Sequence, residues 1–135
     1  MSSQVNPELV AECALRHYKK GIPKGKPKDT SEWTVYAAIV AQEEENLWVV
    51  SAATGTKCTS LRKNGFVLHD THAEILARRG LIRAVWLEIN KSSQSKARSE
   101  RRLLLEQEPC KLKFRIRRNI NLHLYISDSP CGDAR

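Results

Sequence analysis

Two apolar runs of strand composition, residues 33–41 and 46–53, are separated only by the polar quartet Gln42-Glu43-Glu44-Glu45. This reads as two strands joined by a hairpin loop, because so short a link makes the neighbouring run the nearest pairing partner. On either side the periodicity changes to that of helices. Asn6-Pro7-Glu8 offers an N-cap, a proline at the first helical position and a carboxylate in the first turn. Leu9, Val10, Cys13, Ala14 and His17 follow at helical spacing, and Gly21 stops the helix. Residues 22–31 are rich in Pro, Gly and Lys and read as a loop.

Beyond the hairpin, residues 55–66 form an irregular connection with a turn signal at Asn64-Gly65. A long helix is expected from about residue 71 to about residue 89, with Ile75, Ile82, Val85, Trp86 and Ile89 on its apolar side. Residues 91–108 are polar and charged and read as a flexible basic insertion. In 111–118, Leu112, Phe114 and Ile116 alternate with Lys113, Arg115 and Arg117, which predicts a strand with a basic outer face. Basic residues also guard edge strands against aggregation, so that face has a structural reading as well. Residues 121–127 are a further strand, and Asp128-Ser129-Pro130 turns into a new helix. The expected architecture is an α/β domain, 1–135, with helices packed on a mixed sheet.

The formal net charge is +8, from 23 basic and 15 acidic residues. Ten of the basic side chains and only three of the acidic ones fall within 91–118. Such a segment beside a nearly neutral body fits an anionic partner such as RNA; a solvated loop is the plainer reading. No apolar run approaches the roughly 20 residues of a membrane span, so no membrane partner is expected. Cys13, Cys58, Cys110 and Cys131 include no short-spaced pair, and no signal-peptide pattern precedes them. They read as thiols or metal ligands, which places the protein in the cytoplasm or nucleus.

Two short segments carry the chemistry: His72-Ala73-Glu74, and Pro130-Cys131-Gly132-Asp133-Ala134-Arg135. A His-x-Glu at one helix start with a later Pro-Cys at another matches the signature of zinc nucleobase deaminases. Zinc takes nitrogen from His and sulfur from Cys, and three protein ligands leave a fourth position for a water whose pKa falls to about 7. A carboxylate outside the ligand set then moves the protons. The same residues have blander readings. Thr71-His72-Ala73-Glu74 is also a capping box, and Cys131 alone is also a buried thiol.

The wording around both segments decides between them. Ala53-Thr54-Gly55-Thr56-Lys57-Cys58, then His69-Asp70-Thr71-His72-Ala73-Glu74-Ile75-Leu76-Ala77-Arg78-Arg79, then Leu122-His123-Leu124-Tyr125-Ile126-Ser127 running into Ser129-Pro130-Cys131-Gly132-Asp133-Ala134, resemble the adenosine deaminases acting on RNA. The likeness runs from about residue 8 to the end, with 91–108 standing outside it. Gly25-Lys26-Pro27 leading to Glu32-Trp33-Thr34, and Arg62-Lys63-Asn64-Gly65 ahead of the His-Ala-Glu segment, resemble the tRNA-acting members. The resemblance implies a cytidine-deaminase-like layered fold and hydrolytic deamination of adenosine to inosine in tRNA, next to the anticodon, with no DNA partner. It implies His72 and Cys131 as zinc ligands and Glu74 as the proton shuttle. It implies Arg78 and Arg79 as ligands of inositol hexakisphosphate, although a solvated helix face is their ordinary role. Thr56 and Lys57 would lie near the RNA backbone.

The sequence departs from the pattern in its third zinc ligand. Ala134 stands where a Pro-Cys-x-x-Cys step would have its second cysteine, and the RNA-acting family takes that ligand from far downstream. The expectation is therefore an N-terminal part of the domain, incomplete at its C-terminus and unstable or inactive alone. A non-catalytic RNA binder and an editor of double-stranded RNA are the alternatives.

Overall fold

The computed structural model describes residues 5–21, 26–27, 32–55, 71–94, 104–108 and 113–129. The elements run α1 (Pro7–Gly21), β1 (Tyr36–Glu43), β2 (Asn46–Thr54), α2 (Ala73–Gln94), β3 (Leu105–Gln107), β4 (Phe114–Ile116) and β5 (Ile120–Ile126). Three strands form a sheet in the order β2-β1-β5, and β3 pairs with β4 in a separate two-stranded sheet. The expected α/β class holds. Every pairing among the described strands is antiparallel, where a mixed sheet was expected.

The hairpin forms as the polar quartet requires, with Glu43 opposite Asn46 and only Glu44-Glu45 in the turn. Two-residue turns need left-handed backbone, and Glu44 supplies it at φ 55°. Gln42 steadies that turn by donating from Nε2 to the Glu44 carbonyl at 2.8 Å, and its Oε1 meets His123 Nε2 on β5 at 3.0 Å.

β1 is central and is buried along nearly its whole length. Both of its faces are covered, which explains an apolar run without alternation. Tyr36, Ala38 and Val40 pack under Val10 and Ala14 of α1. Ala37 and Ile39 face the other way, against Ala73 and Ala77 of α2. The molecule is therefore layered helix, sheet, helix, with a third apolar cluster of Ala41, Leu104 and Ile120 toward the hairpin end.

The directions of the two helices set up the site. Asn6 Oδ1 caps α1 by accepting the Glu8 N–H at 2.9 Å, as the Asn-Pro-Glu start predicts. At the other end of this helix Tyr18 packs on Tyr36, with ring centroids 4.9 Å apart, and the Tyr36 hydroxyl donates to the Ala14 carbonyl. The C-terminal end of α1 thus emerges where β1 begins and where β2 and β5 finish. α2 starts at that same end on the opposite face.

The buried side of α2 differs from the one expected. Ala73 and Ala77 are fully buried and Leu81 packs beside them. Of the expected residues Ile75, Val85 and Ile89 are half-buried, whereas Ile82 is 48% and Trp86 61% exposed. Small residues win because the helix sits very close to β2. The register of β1 against β2 shifts between Ile39 and Val40, so Val50 has no opposite residue. This bulge aims Val50 and Ser51 both toward α2, where the Ser51 hydroxyl donates to the Ala77 carbonyl at 2.7 Å. A Cβ on Gly80 would stand 2.9 Å from Ser51 Cβ, so a larger residue there would lift the helix.

The segment 91–108, expected as a flexible insertion, contributes structure at both ends. α2 runs on to Gln94, Leu104 is buried, and β3 follows. Glu88 of α2 makes this possible by accepting the backbone N–H groups of Leu104 and Leu105, at 3.2 and 2.8 Å. Residues 95–103 lie outside the described residues. The strand expected over 111–118 is shorter, Phe114–Ile116. Among the described residues, no helix is long and apolar enough to cross a membrane.

Candidate active site

The entry to α2 is fixed by two backbone contacts with the end of the hairpin. Gly55 donates its N–H to the Val35 carbonyl at 3.0 Å, which anchors it beside β1. Its own carbonyl accepts the Ala73 N–H at 3.2 Å, satisfying one of the donors that a helix start leaves over. The approach is close: a Cβ on Gly55 would lie 2.2 Å from the Thr71 carbonyl oxygen. No other residue leaves room, so a glycine sets the height at which α2 meets the sheet. Sequence reasoning used Gly55 only as part of a likeness; its packing role had no signal in the periodicity.

Helical bonding then begins at His72, whose carbonyl accepts the Leu76 N–H at 3.0 Å. This is one residue later than the capping-box register, which would start the helix at Thr71. His72 and Glu74 are thereby brought together on the first turn, both half-buried. The Nδ1 of His72 is sealed from solvent. An imidazole nitrogen turned inward at a helix start is a reasonable metal donor, and in this respect His72 fits zinc. Cys131, Thr56 and Lys57 lie outside the described residues, as do Cys58, Cys110, the Asn64-Gly65 turn and the helix start expected from residue 130. Among the described residues, no three His, Cys, Asp or Glu side chains gather into a metal-binding group.

Arg78 and Arg79 follow one turn further along α2, and both are exposed. The basic face expected on the 111–118 strand is altered. Arg115 pairs with Glu106 at 2.6 Å and with Glu108 at 3.8 Å. Arg117 pairs with Glu43. These two arginines fasten the small β3-β4 sheet and the hairpin turn, and their charge is neutralised within the chain.

Among the described residues, one marked electrostatic perturbation lies behind the site. Tyr36 is only 3% exposed, and burial, with lesser contributions from Cys13 and Tyr125, pushes its phenol up to about 12. Tyr36 also joins β1 to the end of β5: its N–H donates to the Ser127 hydroxyl and its carbonyl accepts the Ser127 N–H, both at 2.9 Å. This pins the sheet end from which the chain leaves β5, five residues before Cys131 in the sequence.

Comparison with known proteins points the same way as these residues. The sequence model of the adenosine-deaminase (editase) domain matches residues 51–135. The chain is 32% identical over 143 residues to tRNA-specific adenosine deaminase 1 of Homo sapiens, covering 93% of this chain and 28% of that protein. It is 39% identical over 137 residues to tRNA-specific adenosine deaminase 1 of Schizosaccharomyces pombe, covering 93% of this chain and 34% of that protein. It is 31% identical over 138 residues to the double-stranded RNA-specific editase Adar of Drosophila melanogaster, covering 98% and 20%. The chain thus spans between 20% and 34% of the length of these relatives. No solved structure matches it significantly. With its His72-Ala73-Glu74 segment at the entry to α2 and the domain match across residues 51–135, the chain belongs to the adenosine-deaminase (editase) domain family.

Proposed function

We propose that the chain serves a zinc-dependent RNA adenosine deaminase, converting adenosine to inosine in tRNA next to the anticodon. The observation that carries the reading is the placement of His72, with Nδ1 sealed from solvent, two residues ahead of Glu74 at the entry to α2. His72 and, by family resemblance, Cys131 would hold the metal. When bound, zinc supplies an activated water at neutral pH. Glu74 would be the proton carrier, moving protons between water, the purine ring nitrogen and the leaving amine. A carbon–oxygen bond forms at the amino-bearing carbon, the carbon–nitrogen bond breaks, and ammonia leaves. The adenosine must leave its stack to reach these residues, which favours single-stranded or loop positions.

tRNA is preferred because two of the relatives above are named for it, one of them at 39% identity. The Drosophila relative, named for double-stranded RNA, stands at 31% and supports duplex editing as a second reading. One experiment addresses metal, chemistry and substrate. Zinc per purified chain is measured for the wild type and for Cys131→Ala, and inosine is measured after incubation with a tRNA transcript or a long RNA duplex. Because Ala134 stands where a third ligand would be, both measurements are made on the chain alone and on a product that extends past residue 135. One bound zinc, lost in the variant, with inosine in tRNA is the expected result for the extended product. Inosine only in the duplex would replace tRNA by double-stranded RNA. A folded chain with neither zinc nor inosine would overturn the reading for this chain on its own.

A further inference from the structure

We infer that the lysine cluster at the C-terminal end of α1 grips the RNA backbone, holding it over the sheet end where His72 and Glu74 stand. The inference rests on the proposed RNA substrate and says where this chain would contact it. The sequence put the basic surface in 91–118, but Arg115 and Arg117 of that segment are paired with Glu106, Glu108 and Glu43. Among the described residues, a second group of basic side chains gathers at the end of α1. Acidic Glu8 and Glu12 sit in the first half of α1, and Glu12 is matched by Arg16. From Arg16 to Lys28 the sequence holds no acidic residue at all.

Lys19 and Lys20 are exposed in the last turn, and among the described residues neither enters an ion pair. Lys26 is folded back onto them: its ammonium donates to the Lys19 carbonyl at 2.9 Å and lies 5.3 Å from the centre of the Tyr18 ring. One cation at a helix C-terminus is explained by the helix dipole. Lys26 already fills that role, so Lys19 and Lys20 are left beside it at a cost in mutual repulsion. An external polyanion with regularly spaced charges would relieve that repulsion.

The location selects RNA. Tyr18 stacks on Tyr36 at the start of β1, and the Tyr36–Ser127 bonds tie that strand start to the end of β5. Gly55, at the end of β2, holds the entry to α2 at the same end. The lysines and the His72-Glu74 pair therefore flank one end of the sheet from its two faces. A strand of RNA laid across that end would meet phosphate-binding charge on one side and the reacting group on the other.

The test compares Lys19→Gln/Lys20→Gln/Lys26→Gln with a control of equal charge, Lys91→Gln/Lys113→Gln/Arg118→Gln, whose three side chains are also exposed. Binding to a tRNA transcript is followed by fluorescence anisotropy across a range of potassium chloride concentrations. Each lost phosphate contact lowers the log–log salt slope by about 0.7 to 0.9. The first variant is expected to lose roughly two to three units of slope and at least about tenfold in affinity near 0.1 M salt, with the control little changed. Equal losses in both variants, or none in the first, would overturn the inference while leaving the deaminase reading intact. A wild-type chain with no salt-dependent binding to tRNA would overturn both. Thermal melting of all three proteins checks that the substitutions leave the fold unchanged.

Discussion

Replacing Gly55 by alanine tests whether the entry to α2 is positioned by contact with the hairpin end. The new Cβ would stand 2.2 Å from the Thr71 carbonyl oxygen, against the 3.4 Å or more of ordinary contact. The helix entry must therefore retreat by about 1.2 Å. The obstacle is backbone, so no rotamer change relieves it. Retreat strains the hydrogen bond from Ala73 N–H to Gly55 and the one from Gly55 N–H to Val35. Each is worth about 1 kcal/mol net, and overpacking adds about 1 to 3 kcal/mol. We expect a loss of about 2 to 4 kcal/mol in urea unfolding. A displacement near 1 Å at His72 and Glu74 is also expected to lower inosine formation by about a hundredfold. Gly80→Ala is the comparison: its Cβ would stand 2.9 Å from Ser51 Cβ, a smaller overlap than 2.2 Å against backbone, and alanine regains about 1 kcal/mol of helix propensity. It is expected to be the milder change. A Gly55→Ala protein within about 0.5 kcal/mol of wild type would refute the argument, because no clash of that size is compatible with it.

Three further outcomes follow from the fold. Glu44→Gly removes the penalty of a left-handed backbone at φ 55° and should stabilise the chain by about 1 kcal/mol, read from the urea midpoint; no gain would mean that the turn is held without strain. Glu88→Ala leaves the Leu104 and Leu105 N–H groups without their carboxylate and should cost about 2 kcal/mol, with faster amide exchange at both positions; unchanged exchange would count against the bridge. The folded state holds the Tyr36 proton more tightly than the unfolded chain does, so that contribution is whole below pH 10 and is lost as pH rises toward 12. Tyr36→Phe should be about 1 kcal/mol less stable at pH 7 and should show a shallower alkaline decline; parallel alkaline curves would assign the decline to other groups.

The sequence was readable where one local signal governs one local outcome. Asn6-Pro7-Glu8 specifies a helix start by its own chemistry, and the Gln42–Glu45 link leaves its flanking strands little choice but to pair. It misled where contact across the fold decides. The large apolar residues Ile82 and Trp86 suggest a buried face on α2, yet where the helix lies nearest to β2 it presents the small residues Ala73, Ala77 and Gly80, with Leu81 beside them. Those small residues carry little weight in a periodicity count. β3 has three residues, and its start is fixed by Glu88, 16 residues earlier than Leu104, a pairing that no window of sequence contains. Arg115 and Arg117 looked like a ligand-facing row because Glu43 and Glu106 become their neighbours only after the strands are in register. The site was half legible for the same reason. His72 and Glu74 stand out by residue type and spacing, whereas the glycine that positions them acts by having no side chain.

The bridge between Gln42 and His123 fixes where a proton must be. The Glu44 carbonyl can only accept, so the Gln42 amide nitrogen has to face it and the amide oxygen has to face His123. An oxygen there demands a proton on Nε2, which selects one of the two neutral imidazole tautomers. Adding a second proton at Nδ1 leaves that N–H in place. The link between β5 and the hairpin therefore keeps its donor with either one proton or two on the ring, and His123 serves here as a fixed donor.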